Sequence, residues 1–235
     1  LRCARRGHRG PITTISRKGL RVISHPPPGT GFGEKVPDLG QWAPRGPRAA
    51  LADIRRRVGE LEEVSAWSVV VDRVRPEIHR IWGGWPTTER LRFLRHLRSY
   101  WDVHRHRVSP EIALEWEALV ARGFFTWQPG RVVRSEETPG GVRVEIRGRH
   151  GKDSVSEFDR IVNCTGVVPD LSLFNGHSLA EEPLALGIES DEFGRPLEVS
   201  GRALEGVFVL GPVLRPRFWE MTAIPELRHQ ARILC

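Results

Sequence analysis

Cysteine is scarce in this sequence, and its spacing excludes two kinds of site. The three cysteines are Cys3, Cys164 and Cys235. They form no C-x-x-C pair, which argues against a zinc knuckle or a dithiol redox centre and fits a reducing cytosol. No apolar run approaches the roughly 20 residues that span a bilayer, and the N-terminus has no apolar signal segment. We therefore expect a cytoplasmic protein that does not contact a membrane.

Methionine is scarcer still. The single methionine, Met221, lies near the C-terminal end of the chain. We interpret the sequence as a fragment whose natural start lies upstream of Leu1. The 235 residues are enough to bury a sizeable core and to form one or two domains.

Acidic residues are missing from the first 22 positions, and this local gap explains the net charge of +7. Seven basic residues stand there, while the remaining chain has 29 basic and 29 acidic residues and is neutral. The basic face of a nucleic-acid-binding domain would extend further along the chain, so we expect no nucleic acid partner. A local phosphate site near the N-terminus fits better, because guanidinium forks match phosphate geometry.

The N-terminal segment has the element order of the second half of a nucleotide-binding β-α-β unit. Residues 1–10 indicate a helix end followed by a turn, and residues 11–16 predict a short buried strand. Arg17 comes directly after this strand. Nucleotides bind near the carboxyl ends of the strands in such units, so Arg17 is a candidate phosphate ligand.

Residues 48–122 are predicted to be helical. Apolar side chains recur at helical spacing over residues 67–82, with Pro76 as a kink. Ser109 is placed to cap a further helix, which Gly123 ends.

A small antiparallel sheet is predicted after these helices. The candidate strands are residues 124–127, 131–135, 142–147 and 155–163. Glycine-rich turns separate them. The apolar run 206–210 predicts one more buried strand, and residues 218–234 predict a C-terminal helix that contains Pro225.

Three further segments have the composition of cofactor-binding turns. Asn163-Cys164-Thr165-Gly166 would end a strand, and its glycine would let the backbone approach a flat cofactor or a pyrophosphate. Gly211-Pro212 would end the later strand. Residues 218–228 would begin a helix whose free N–H groups favour an anion or a carbonyl edge. A plain strand end and an amphipathic C-terminal helix are the alternatives for the first and the last segment.

The segment 100–107 concentrates titratable side chains. Asp102, His104 and His106 stand at i, i+2 and i+4, so a helix does not present them on one face, and no metal site is predicted. A histidine near a carboxylate can act as an acid–base pair near neutral pH, which makes these three the catalytic candidates. The alternative is a solvated helix end.

Taken together, these segments resemble a bacterial family of FAD/NAD(P)-binding oxidoreductases that is distantly related to flavin-dependent monooxygenases. The resemblance covers nearly the whole chain. It is carried by Gly7-His8-Arg9-Gly10-Pro11-Ile12, Ser16-Arg17-Lys18-Gly19-Leu20, Trp101-Asp102-Val103-His104-Arg105-His106-Arg107, Asn163-Cys164-Thr165-Gly166, Leu210-Gly211-Pro212, Phe218-Trp219-Glu220 and Thr222-Ala223-Ile224-Pro225-Glu226. In many such flavoproteins an Asp follows the last strand's glycine and contacts the FAD ribityl chain. Pro212 stands there instead, so that contact is lost or replaced.

The resemblance implies an FAD-dependent oxidoreductase of a monooxygenase-like type that uses NAD(P)H as electron donor and acts on a small molecule. It also implies that the glycine motifs for both dinucleotides precede Leu1, which would make this chain an inactive fragment. Arg17 would contact the 2′-phosphate of NADP. The residues expected to contact FAD are Thr165, Gly166, Gly211, Pro212, Trp219, Thr222 and Ala223.

The predicted fold is an incomplete α/β, Rossmann-like fold of the two-dinucleotide-binding class, with a helical insertion and a small antiparallel sheet. Residues 1–47 would be a remnant of the NAD(P)-binding unit and a loop, 48–122 the helical region, and 123–235 the sheet and the C-terminal part of the FAD-binding domain. The alternative from another class is a non-catalytic helical binding or scaffold protein with a vestigial nucleotide-binding fold.

Overall fold

A computed structural model describes residues 2–26, 42–60, 66–148, 151–166 and 169–234. The fold is mixed α/β, with a four-stranded sheet in the order β1-β2-β3-β4. The chain divides into two compact units, the first made of Leu1–Gly31 and Arg98–Thr165, the second of Phe32–Leu97 and Gly166–Cys235. The division into three consecutive domains stays a prediction.

The first unit is built on the sheet. β1 (Ile12–Ser16) runs parallel to the start of β2 (Phe125–Thr138), with Ser16 opposite Pro129. β2 then pairs antiparallel with β3 (Gly141–Gly148), and β3 pairs antiparallel with β4 (Ser154–Phe158). The predicted antiparallel sheet is confirmed for β3, β4 and the part of β2 from Gly130 onward, whereas the first predicted strand, 124–127, lies in the part of β2 that pairs parallel with β1. β1 is half-buried along its whole length rather than buried.

β2 is one strand of 14 residues, whereas the sequence predicted two separate strands, 124–127 and 131–135. Pro129 and Gly130 interrupt the apolar pattern, but they lie where β2 leaves its pairing with β1 and begins its pairing with β3. A bulge between Val132 and Arg134 absorbs the irregularity in register.

The strand predicted over residues 155–163 ends at Phe158. The residues after it are exposed, and Val162 is 81% exposed. The prediction failed because Ile161 and Val162 look like the continuation of a strand, yet they have no ladder partner in the described sheet.

Among its described residues, the first unit has three α-helices: α1 (Arg2–Arg5), α6 (Arg98–Arg105) and α7 (Pro110–Ala121). The predicted cap of α7 is confirmed, since the Ser109 hydroxyl accepts a bond from the Ile112 N–H and Gly123 follows the helix with a φ of +70°. The Trp116 ring stacks on Phe125 at 4.3 Å between centroids, which packs α7 against the start of β2.

The second unit is mainly helical. Its helices are α2 (Trp42–Glu60), α3 (Ala66–Val74), α4 (Ile78–Gly84), α5 (Thr87–His96) and α8 (Ile224–Leu234). The predicted kink at Pro76 is a 3-10 turn, Arg75–Glu77, between α3 and α4. No helix in the described part of the chain is long and apolar enough to cross a membrane.

An aromatic cluster forms the core of the second unit. The Trp82 ring lies 4.8 Å from Trp219 and 5.8 Å from Phe93 between centroids, and Phe93 lies 5.2 Å from Trp219. All three side chains are buried. Aromatic pairs of this kind add about 0.5–1.5 kcal/mol each beyond the area they bury.

Two predictions for the second unit were wrong. Residues 206–210, all of them described, form no strand: Phe208 is 54% and Leu210 is 47% exposed. Apolar composition does not make a strand without a neighbouring strand to complete its hydrogen bonds. The C-terminal helix begins at Ile224 rather than at residue 218, with Pro225 in its first turn, where a missing N–H is tolerated.

Candidate functional site

The carboxyl end of β1 is a tight turn that presents Arg17 to solvent. Arg17 is exposed and follows the last residue of the strand. The Gly19 N–H donates to the Ser16 hydroxyl at 3.0 Å, and a Cβ at Gly19 would lie 3.0 Å from the Pro129 Cβ. The backbone is thus held close to β2, and the φ of +62° at this position favours glycine.

Two further basic side chains near this turn lie against aromatic rings. The Lys18 ammonium is 4.2 Å from the centre of the Tyr100 ring, and the Arg21 guanidinium is 4.9 Å from that of Trp127. These cation–π contacts fix the two charges beside Arg17. The turn therefore has the electrostatic character expected of a site that attracts a phosphate.

The three catalytic candidates lie in or just after α6. Burial, and then the positive charge of Arg107, lower the pKa of His104, so its imidazole is neutral at neutral pH. Asp102 is paired with Arg98 of the same helix, at 3.4 Å between Oδ2 and Nε. His106 is exposed, and its backbone N–H bonds to the Asp102 carbonyl at 2.8 Å. In the described part of the chain, no three His, Cys, Asp or Glu side chains are placed to hold a metal ion.

The segment Asn163–Gly166 is an exposed turn. The Asn163 Oδ1 accepts hydrogen bonds from the Thr165 N–H at 3.0 Å and from the Thr165 hydroxyl at 2.8 Å. Gly166 has a φ of +101°, and a Cβ there would meet no atom within 4 Å. Its backbone therefore lies open to an approaching group.

Gly211 and Pro212 form a second turn at the start of a 3-10 helix, Pro212–Leu214. Gly211 has a φ of +93° and is buried, while Pro212 is exposed. The Leu214 N–H donates back to the Gly211 carbonyl at 3.0 Å.

The turn before α8 contains the other three predicted flavin contacts. Trp219 is 2% exposed and faces the aromatic core, with the Arg215 guanidinium 4.4 Å from its ring centre. Thr222 is exposed and Ala223 is half-buried. The N–H groups of Thr222 and Ala223 both point to the carbonyl of Glu220, at 2.6 and 3.3 Å.

The predicted site residues divide between the two units. The first unit contains Arg17, Asp102, His104, His106 and Thr165, and the second contains Gly166, Gly211, Pro212, Trp219, Thr222 and Ala223. Sequence reasoning missed His79 in α4 and Glu226 in α8, which bring ionisable groups together inside the second unit. The available signal was a histidine among the apolar residues of a helical stretch.

Comparison with known proteins gives one similar solved structure and no family. No family model matches the chain, and no curated protein matches it. The chain is similar to the structure of ornithine hydroxylase (PvdA) from Pseudomonas aeruginosa, with 19% sequence identity and a TM-score of 0.47. The likeness covers 70% of this chain and 40% of that one, so the chain matches less than half the length of that structure.

Proposed function

We propose that this chain is part of an FAD-dependent oxidoreductase, monooxygenase-like in type, that takes electrons from NAD(P)H. The observation that carries the proposal is the position of Arg17, which is exposed directly after β1, a strand paired in parallel with β2. In open parallel sheets, dinucleotides bind outside the carboxyl ends of the strands. A guanidinium at this point has the right charge and fork geometry for a phosphate.

The preferred dinucleotide is NADPH rather than NADH. The Arg17 guanidinium would bind the 2′-phosphate, which only NADPH carries. Lys18 and Arg21, held against Tyr100 and Trp127, would add positive potential at the same turn. NADH carries an uncharged ribose hydroxyl in place of this phosphate. The positive charges of Arg17, Lys18 and Arg21 would therefore attract NADH less strongly.

FAD would contact the backbone atoms of turns more than side chains. Thr165, Gly166, Thr222 and Ala223 are exposed or half-buried turn residues, which fits the close approach of a flat ring or a pyrophosphate. Gly211 and Pro212 form a similar turn, in which Pro212 stands where many such flavoproteins have an aspartate. Trp219 is buried, so its ring would pack against the protein and support the 222–223 turn, and it would not contact the flavin directly. Bound FAD would supply the redox chemistry, and these residues would bind and orient it.

Among the catalytic candidates, His104 is the one suited to accept a proton from a small-molecule substrate. Burial and Arg107 lower the pKa of His104, so the neutral imidazole is the form present at neutral pH. Asp102 is paired with Arg98 and would orient the segment rather than act as a base.

The experiment is a comparison of NADPH and NADH binding to the wild-type chain and to Arg17→Ala. We expect Arg17→Ala to weaken NADPH binding at least about tenfold and to leave NADH binding unchanged. Arg9→Ala is the matched control, because Arg9 is exposed in the same basic N-terminal stretch but precedes β1. An unchanged NADPH preference in Arg17→Ala would remove Arg17 from this role.

A further inference from the structure

The guanidinium of Arg21 lies over the ring of Trp127, with 4.9 Å between its Cζ and the ring centre. Trp127 stands in the part of β2 that pairs in parallel with β1, opposite Thr14. Arg21 follows the turn at the carboxyl end of β1, so the chain folds back there and brings the guanidinium over β2. The stacked pair therefore belongs to the same end of the parallel strands as Arg17.

Trp127 is held in place by a second aromatic ring. The Trp116 ring of α7 lies 5.5 Å from the Trp127 ring between centroids, and it also stacks on Phe125 at 4.3 Å. Trp127 is half-buried, whereas Arg21 is exposed. The tryptophan is thus a fixed support, and the arginine that lies on it is open to solvent. A contact surface that is ordered before a ligand arrives loses little conformational freedom on binding.

The planar shape of the guanidinium decides what kind of group this pair accepts. Arg21 turns one face to Trp127, and its other face can stack on a second flat ring. Lys18 differs, because its ammonium, 4.2 Å from the centre of the Tyr100 ring, is a compact charge without a plane. Nucleobases stack on aromatic rings and on arginine planes at protein surfaces, and such stacking needs an open face, not an enclosed cavity.

We propose that Arg21 and Trp127 form the platform on which the adenine ring of the dinucleotide stacks. This inference rests on the proposed function, and it adds the base to the 2′-phosphate assigned to Arg17. The base and the 2′-phosphate are attached to one ribose. Arg17 and Arg21 are four positions apart, so their Cα atoms are separated by at most about 14 Å. One adenosine therefore reaches both side chains: Arg21 sets the affinity for any adenine nucleotide, and Arg17 sets the preference for NADPH.

The test is the binding of NADPH, NADH and adenosine 2′-monophosphate to the wild-type chain and to Arg21→Lys, measured by isothermal titration calorimetry. Lysine keeps the positive charge and removes the plane, so a purely electrostatic role of Arg21 predicts no change. We expect Arg21→Lys to weaken all three ligands by the same factor, about fivefold or more, because all three contain adenine. The matched control is Arg9→Lys, since Arg9 is exposed and precedes β1, and it should leave the three affinities unchanged.

Trp127→Leu removes the support of the guanidinium and should weaken the same three ligands. If Trp127→Leu does not fold, Arg21→Lys decides the question, because its position is exposed.

Unchanged affinities in Arg21→Lys would overturn the platform. A loss confined to NADPH and adenosine 2′-monophosphate would overturn it as well, since it would indicate a contact with the phosphate and not with the base. So would a wild-type chain that does not bind adenosine 2′-monophosphate. The proposed function fails separately: if adenosine 2′-monophosphate binds through Arg21 but neither NADPH nor NADH binds, the platform stands and the proposed electron donor is wrong.

Discussion

The indole nitrogen of Trp82 donates a 2.8 Å hydrogen bond to the backbone carbonyl of Pro216. Trp82 is completely buried, and the same carbonyl accepts a second bond from Arg90 Nη1 at 3.1 Å. Through these contacts, α4 and α5 hold the segment that leads into the turn before α8. The position of Thr222 and Ala223 therefore depends on a tryptophan that lies far from them in sequence.

Replacing Trp82 by phenylalanine should lower the free energy of unfolding by about 2 kcal/mol or more. The substitution leaves a cavity among Phe93 and Trp219 and removes one of the two bonds to the Pro216 carbonyl. Urea unfolding followed by far-ultraviolet circular dichroism measures the effect. Leu173→Ala is the control, since Leu173 is 89% exposed and should change stability by no more than about 0.5 kcal/mol. Equal effects of the two substitutions would contradict this account of the core.

Gly187 packs directly against backbone. A Cβ there would lie 1.8 Å from the carbonyl oxygen of Val213, the same oxygen that accepts the Ile188 N–H at 3.0 Å. Gly187→Ala must push two backbone segments apart, and we expect it to cost about 2 kcal/mol or more.

The matched control for Gly187→Ala is Gly59→Ala in α2. A Cβ at Gly59 would meet nothing within 4 Å, so alanine should stabilise the helix by about 0.5–1 kcal/mol. Thermal unfolding of the two variants should therefore shift in opposite directions. A Gly187→Ala variant that unfolds at or above the wild-type temperature would show that Val213 is not packed against Gly187.

Asp191 should make the stability of the second unit fall in acid. Burial raises the pKa of Asp191, but bonds from the Arg195 and Phe193 N–H groups and from the Arg195 guanidinium outweigh burial and lower it. A lowered native pKa means that the stabilisation is present above the unfolded value, about 3.9, and is lost as the pH falls below it.

Asp191→Asn should thus destabilise the protein by about 1–2 kcal/mol at neutral pH and by less in acid. Stability measured by urea unfolding across that pH range gives the result. Glu192→Gln, at an exposed neighbouring position, should follow the wild-type curve. A constant difference between Asp191→Asn and wild type at every pH would show that the charge of Asp191 does not contribute.

Local signals in the sequence predicted structure well where a few neighbouring residues determine it. Ser109 and Pro110 start α7, and Gly123 follows its end, because capping depends on contacts within a few positions. The prediction of a strand over residues 206–210 was wrong for the opposite reason. A strand needs a partner strand, and the sequence of residues 206–210 does not show whether a partner lies beside it. The predicted start of α8 was wrong for a similar reason. The turns after Phe218 depend on the packing of Trp219 against aromatic residues that lie far away in the sequence.

The candidate site was predictable only in part. Arg17 could be placed because it directly follows a short β-rich run. The burial of Trp219 could not be predicted, because it comes from Trp82 and Phe93, more than a hundred residues earlier in the chain. The contact between Arg75 and Glu226 has the same long-range origin, since the two residues are 151 positions apart in the chain.

The most direct test of the central claim is the visible absorption spectrum of the purified chain after incubation with FAD and removal of free flavin. The account predicts that flavin absorption stays with the protein. A chain that emerges colourless after saturating FAD would contradict the claim that the residues of this chain bind a flavin.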